Sequence, residues 1–461
     1  MLFKGMGRVF ITKNKIKFVT ALTVCTLALT ACGGGASPAS SDGSSPAVTG
    51  AKTSESEKKA AKPIELSFYF PVAVGGPLTK IFDSFAEQFN KENNDGITVK
   101  PIYTGSNQDT LIKAQTAVMG GTPPDLMLSS STDLFTLLDM DAIIPLNDLA
   151  AKDGGDAYLK DFYEGFMANA QTGGKTYSIP YQRSTIILYY NKDAFKEAGL
   201  DPNKPPQNYK ELTEYAKKLT KPGRWGLEIS STEYIGWMMQ AFALQNGKNL
   251  MDQDGKKVFF NTPENLEALQ YWIDLIRKEK VMPEGATNWA TIPSDFNSGK
   301  TAMMYHTTGN LGAVKKGANF EFGTAFLPAG KNFGTPVGGA NLYIFKGIAK
   351  ERQEAAWKYI RWLTKPERLA QFSIDTGYVA PTRSSNETEI MKKYIETFPQ
   401  AVTARDQLKY ASASFSTHNS GEVGKVWNDK LQSAIVGNVP PAEALKNAQA
   451  EAEKLLAPFN K

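Results

Sequence analysis

Gln182, Arg183, Ser184 and Thr185 form a polar knot inside the otherwise strand-like stretch Tyr177–Lys192. An amide, a guanidinium and two hydroxyls in succession can hydrogen-bond a small polar molecule, and a polyhydroxylated solute also needs flat aromatic faces against its C–H surface. Trp237, one turn after Tyr234, and Trp289, in the loop NWATIP, are the rings that could supply such a face. The opposing readings are core for Trp237, flanked by Met238, Met239 and Phe242, and plain surface for Trp289. Trp272, Trp357 and Trp362 fall at helical spacing among apolar residues and read as core. Reactive chemistry is poorly provided for. The chain has only two histidines, His306 and His418, and neither an HExxH site nor a His/Cys metal cluster, so no metal or cofactor is expected. There is no GxSxG serine elbow, and the stretches Ser129–Thr132 and Gln182–Thr185 hold none of the paired carboxylates that a glycoside hydrolase requires.

The knot has to be positioned by what surrounds it. Both ends of its strand read as buried while the middle is charged, the pattern of a chain that leaves one domain, crosses an open cleft and enters another. A chain of 461 residues is too long for one core, which agrees with two domains. Before the knot, strand and helix signals alternate: Ile64–Phe70, a stripe from Leu78 to Phe89, Ile97–Tyr103, Asp109–Met119, then Asp125–Leu128. This order predicts a parallel, helix-covered sheet with ligands beyond the carboxyl ends of its strands, at Tyr69–Gly76, Thr104–Gln108 and Ser129–Thr132. After the knot, Tyr209–Leu219, Ile235–Gln245 and Leu266–Lys278 read as helices, the last opened by Thr262-Pro263-Glu264, and Trp225–Ile229 as a strand. Thr301–Gly309 and Pro336–Phe345 repeat the theme of an apolar strand joined to a polar turn. Three crossings follow, and with them two discontinuous domains joined at a hinge.

The net charge of +5 is carried by the N-terminus. Lys4, Arg8, Lys13, Lys15 and Lys17 are unopposed in residues 1–31, and without them 47 basic residues face 47 acidic ones, so no nucleic-acid partner is implied. The apolar run Phe18–Ala28 is short for a membrane span and is followed by Leu29-Thr30-Ala31-Cys32, which resembles the lipobox of bacterial lipoproteins. The resemblance implies a signal peptide over 1–31, loss of Cys25, a lipid on Cys32 and an extracytoplasmic, membrane-anchored protein. Residues 32–63 are poor in large apolar side chains and read as a disordered tether.

The run PYQRSTIILYYNKDAFKEAGLDPNKPP, together with GGTPPDL, SGKTAMM, GGANLYIF, TKPERLAQF and TGYVAPT in the same order, resembles the extracellular solute-binding proteins of bacterial ABC importers, family 1. The nearest branch binds glycerol phosphates, with sugar binders beside it. The resemblance implies an α/β, two-lobed periplasmic-binding-protein fold of class II with three hinge crossings. The expected boundaries are 64–183 plus 306–339 for lobe I and 184–305 plus 340–461 for lobe II. It further implies a monomer, not an enzyme, that hands a carbohydrate ligand to the transmembrane subunits of a permease. By that likeness Ser184, Thr307, Gly339 and Tyr378 are ligand contacts. Three positions depart from the branch: Asn107 stands for a tyrosine, Ser131 for a glutamate and Gly424 for an arginine. Losing that arginine removes the fixed donor suited to a phosphate dianion, so a neutral sugar or oligosaccharide is expected. Arg183 is the opposing residue, either an anion contact or a structural ion pair across the hinge. The alternatives are a glycerol-phosphate-type binder and a lipid-anchored surface glycoside hydrolase, and the receptor could also serve a sensor kinase.

Overall fold

The computed structural model describes residues 63–72 and 77–460, so the signal segment, Cys32, most of the tether and part of the Tyr69–Gly76 loop lie outside the described residues. Strands β1 (Ile64–Phe70), β2 (Ile97–Tyr103) and β3 (Leu126–Ser130) alternate with helices Leu78–Glu92 and Asn107–Met119. A small hairpin, β4 (Gln171–Thr172) and β5 (Lys175–Thr176), leads into the long strand β6 (Ile179–Asn191), followed by β7 (Met303–Thr307), β8 (Phe322–Ala325), β9 (Thr335–Ile344) and β10 (Ala411–Ser412). The main sheet runs β2-β1-β3-β9-β6-β7, with β8 on β6 and β10 on β9. Only β1, β2 and β3 form the parallel sheet that the alternation predicts; β9 runs antiparallel to β3 and to β6, and β7 and β8 run antiparallel to β6. The β-branched and aromatic residues of β7 and β9 predict strands but do not specify their direction, which is set by the connections.

β6 is the spine of the molecule. All thirteen of its residues are buried. Residues Ile179–Thr185 pair with β9, a register shift falls between Pro180 and Gln182, and Ile186–Asn191 pair with β7 and β8. Each half enters a different hydrophobic core: Ile179 and Tyr181 pack with Phe68, Phe82 and Phe372, whereas Ile186, Leu188 and Tyr190 pack with Phe195, Met239 and Trp272. The polar knot is the joint between them. β9 makes a second passage, from β10 and the knot to β3.

The packing revises two expectations. Ala340, Leu342, Ile344, Trp357, Leu369 and Tyr378 pack with the first strands, so residues 340–378 share a core with β1–β3 and not with the second lobe. The third passage is also elsewhere. β7 and β8 both return to the same half of β6, so Thr301–Gly309 stays beside it, and the chain passes between cores after Tyr378, reaching the second core at Phe415, Val423 and Trp427. Other local readings agree with the structure. Thr262 caps the helix Pro263–Arg277 by accepting from the Asn265 N–H, and Trp272, Trp357 and Trp362 are buried. Trp225–Ile229 makes isolated bridges to Thr301 and Met304 in place of a full strand.

Candidate functional site

The pleat of β6 sorts the knot onto two faces. On one face Ser184 stands opposite Gly338. A Cβ on Gly338 would lie 2.5 Å from the Trp237 ring and 2.8 Å from Ser184 Oγ, so the missing side chain is what admits the indole over the crossing strands. The Trp237 Nε1–H donates to the Val337 carbonyl at 2.9 Å, which locks the ring against β9. Tyr234, Trp237 and Trp289 then form one aromatic cluster, with centroids 4.7 Å (Tyr234–Trp289), 6.2 Å (Trp237–Trp289) and 6.5 Å (Tyr234–Trp237) apart. Tyr234 keeps 39 % of its surface exposed, held in a left-handed conformation (φ 60°) at the start of the helix Ile235–Gln245.

His306 supports this cluster from beneath. Its ring stacks on Trp289 at 3.7 Å, Nε2 lies 3.2 Å from the Trp289 carbonyl, and the Asn310 amide lies 2.7 Å from Nδ1. An amide donating to Nδ1 leaves the proton on Nε2, which donates to the carbonyl, so both ring nitrogens are used by a neutral imidazole. Burial pushes its pKa down to about 3. His306 is therefore a prop for an aromatic wall.

The opposite wall comes from the first lobe and the passages. Asn107 opens its helix just after Ser106, whose side chain caps the Asp109 N–H, and its amide lies near the Tyr234 phenol. Tyr378 follows Gly377 (φ 91°), which ends the helix Pro366–Thr376, and its ring lies against Gly309, where a Cβ would stand 2.8 Å from Cζ. Burial pushes the Tyr378 phenol's pKa up, so it stays neutral.

The remaining expected residues fall as follows. Thr307 ends β7, and its hydroxyl accepts from the Gly309 N–H at 3.2 Å, so it already caps the turn that faces Tyr378. At Gly339 (φ 95°) a Cβ would sit 1.9 Å from the Gln182 carbonyl, so the position requires glycine for strand crossing alone. Ser131, after β3, is buried and its hydroxyl has no partner among the described residues. Gly424 is half-buried on the helix Ser420–Ile435 with nothing within 4 Å of an added Cβ, leaving room there.

Arg183 is not with the others. It points to the opposite face, fully buried, with Nη1 donating to Asn341 Oδ1 at 3.0 Å and the guanidinium 5.1 Å from the Phe166 ring. Burial pulls its pKa down to about 9. Among the described residues no carboxylate pairs with it, and Nε and Nη2 have no partner, so in place of the hinge ion pair, one of the two readings, there is a single hydrogen bond to a neutral amide. The gathered side chains are hydroxyls, amides and aromatic rings. Glu233 lies beside them, its carboxylate held below the usual range by the Thr232 hydroxyl and accepting from the Trp289 N–H at 3.4 Å. Among the described residues there is no group of three or more His, Cys, Asp or Glu that could hold a metal, and no helix long and apolar enough to cross a membrane. Residue patterns alone missed the roles of Gly338 and Asn310. Alternation along β6 puts Gln182 and Ser184 on one face and Arg183 on the other, a division within the polar knot that the residue types alone do not make.

This geometry has counterparts among known proteins. The chain is 29% identical over 408 residues to the sn-glycerol-3-phosphate-binding periplasmic protein UgpB of Escherichia coli strain K12, a match spanning 84% of this chain and 91% of that one. UgpB from Mycobacterium tuberculosis, solved with glycerophosphocholine, superposes with a TM-score of 0.76 at 25% identity over 87% of this chain and 100% of that one. The cyclic alpha-maltosyl-1,6-maltose binding protein of Arthrobacter globiformis gives a TM-score of 0.74 at 24% identity over 86% and 99%. These likenesses give the fold as the two-lobed α/β binding-protein type. The sequence profile described as bacterial extracellular solute-binding protein matches residues 84–399, and this chain belongs to that family.

Proposed function

We propose that this chain is the extracytoplasmic receptor of an ABC importer, anchored through a lipid on Cys32, and that it captures a neutral carbohydrate between its two lobes for delivery to the permease. The observation that carries the reading is the cluster of Tyr234, Trp237 and Trp289 facing hydroxyl and amide groups from both cores. Such a site stacks on the C–H face of a sugar and hydrogen-bonds its hydroxyls. A phosphate dianion finds less: Arg183 faces away, Gly424 offers space where a cation would be needed, and Glu233 adds negative charge beside the rings. Names of relatives include both chemistries, a glycerol phosphate for one and a cyclic maltosyl-maltose for another. The side chains present favour the second. We assign the first lobe to 63–182 with 340–378, and the second to 186–335 with 415–460, the knot and the remaining segments serving as hinge. A solute touching both lobes makes its full set of contacts only when they close, which is what shifts the equilibrium toward the form that docks. The lipid predicts that Cys32→Ala releases the protein from membranes and abolishes its labelling by palmitate. Thermal unfolding of the full chain in detergent, scanned against maltose, maltotriose, mannotriose, sn-glycerol 3-phosphate and glycerophosphocholine, tests the ligand class. A rise in midpoint with a sugar is expected. A rise with the phosphate esters alone sinks the carbohydrate reading.

A further inference from the structure

We infer that Gln182 sets the hydrogen-bond polarity of the site, its side-chain carbonyl accepting a proton donated by a hydroxyl of the bound solute. The inference rests on the carbohydrate reading above and names a residue that reads the ligand. Gln182 is 2 % exposed, and its Oε1 has no partner, although a buried carbonyl normally has one. Gln182 lies two positions from Ser184 along β6 and so shares its face of the strand. That placement leaves Oε1 as an unpartnered acceptor on the face where Ser184 meets the Trp237 ring. The backbone holds it there. Gln182 pairs with Ala340 directly after the register shift in β6, and the Gly339 φ of 95° lets β9 approach the Gln182 carbonyl without a clash. The strands opposite carry Gly338, Gly339 and Ala340, so no long side chain of β9 competes for the amide.

An orphan acceptor discriminates chemically. Sugar hydroxyls donate and accept, whereas the oxygens of an ionised phosphate ester only accept and would meet the Gln182 carbonyl lone pair to lone pair. Gln182 thus bars a phosphoryl group from its own position, whereas the free hydroxyls of a glycerol phosphate donate to it as a sugar's do, so the absence of a facing cation remains the device that acts on the phosphate charge.

Isothermal titration of the full chain with maltose, maltotriose and mannotriose, and with sn-glycerol 3-phosphate, tests this with wild type, Gln182→Glu, Gln182→Leu and Gln182→Asn. Glutamate keeps an acceptor at the same reach, so its sugar affinity is expected within about fivefold of wild type, while leucine loses at least tenfold. Asparagine withdraws the carbonyl but preserves a polar strand, and the same loss is expected if leucine fails to fold. Sugar binding by wild type that is unchanged in the leucine or asparagine variant overturns the role of Gln182 alone. So does a glutamate variant that loses sugar as completely as leucine. A wild type that takes none of the sugars overturns the carbohydrate reading, and this inference with it.

Discussion

Arg183 and Ser184 are adjacent in sequence and opposed in space, and the distinction decides which of them a ligand can feel. A strand turns successive side chains to opposite faces, so Ser184 joins Trp237 while Arg183 is enclosed with Asn341 and Phe166. By its place at the crossing, Arg183 reads either as an anion contact or as a structural ion pair bridging the hinge. The structure supplies neither: Arg183 is a buried guanidinium with a single partner, whose desolvation lowers its pKa to about 9. Replacing a buried charge by an apolar side chain of similar volume is often tolerated. Arg183→Met is therefore expected to leave solute affinity within about threefold of wild type, whereas Trp289→Ala removes one face of the aromatic cluster and is expected to weaken it by tenfold or more, on the order of 1.4 kcal/mol. Titration calorimetry on both variants checks the contrast. Loss of affinity in the arginine variant together with retention in the tryptophan variant would reverse the assignment of faces.

At the scale of elements, the sequence shows most clearly what is local. Helix limits such as Ile235–Gln245, the cap at Thr262 and the strand that becomes β6 all follow from periodicity and capping chemistry, and all are found. Partners are not local. Nothing in Met303–Thr307 says that it returns beside the second half of β6, nor does Ala340–Ile344 announce β3 as its neighbour. The stretch Trp225–Ile229 shows the same limit and carries a measurable consequence. It lies against β7 through Glu228, whose N–H donates to the Met303 carbonyl and whose carboxyl is buried, with Oε2 lacking a partner. Burial raises its pKa to about 7, with Asp295 contributing in the same direction. A carboxyl whose folded pKa exceeds its unfolded value favours folding when protonated, so that contribution is complete below pH ~4.5 and is lost as pH rises through about 7. Asp133, also raised to about 7 by burial, has the same sign. Glu228→Gln is expected to flatten roughly half of the decline in unfolding free energy between pH 5 and pH 8, and to be more stable than wild type at pH 8 by about 2 kcal/mol. Chemical denaturation at the two pH values measures it. An unchanged slope would mean that Glu228 reaches solvent in the folded protein.

For the whole molecule the decisive quantity is the balance between open and closed lobes, and the contacts that set it extend beyond the ligand. The helix Leu134–Asp139 packs through Leu134 and Leu137 on Met127 and Tyr343 of the first lobe, while residues 416–420 lead into the helix that carries Val423 and Trp427 into the second core. These segments touch directly. Ser416 Oγ donates to the Thr132 carbonyl at 2.7 Å, the Thr136 and Ser420 hydroxyls lie 2.6 Å apart, and Asp139 meets His418 Nδ1 at 2.5 Å and the Asn419 N–H at 3.0 Å. The His418 ring is held between Phe135 and Phe459, which fixes its direction. Hydrogen bonds to a carboxylate are the stronger kind, and here two converge on Asp139 from the other lobe. We take the arrangement that holds this tie as the closed one, so breaking it is expected to lower the closed fraction and the apparent affinity in proportion. Asp139→Ala is expected to weaken solute binding about tenfold, chiefly through faster release, because the groups that touch the solute are untouched and only the grip relaxes. The unliganded variant should unfold at nearly the wild-type temperature, since Asp139 supports neither core, and should show a larger radius of gyration in small-angle scattering. Unchanged release together with unchanged dimensions would place the closing energy entirely in the ligand and in the hinge strands β6 and β9.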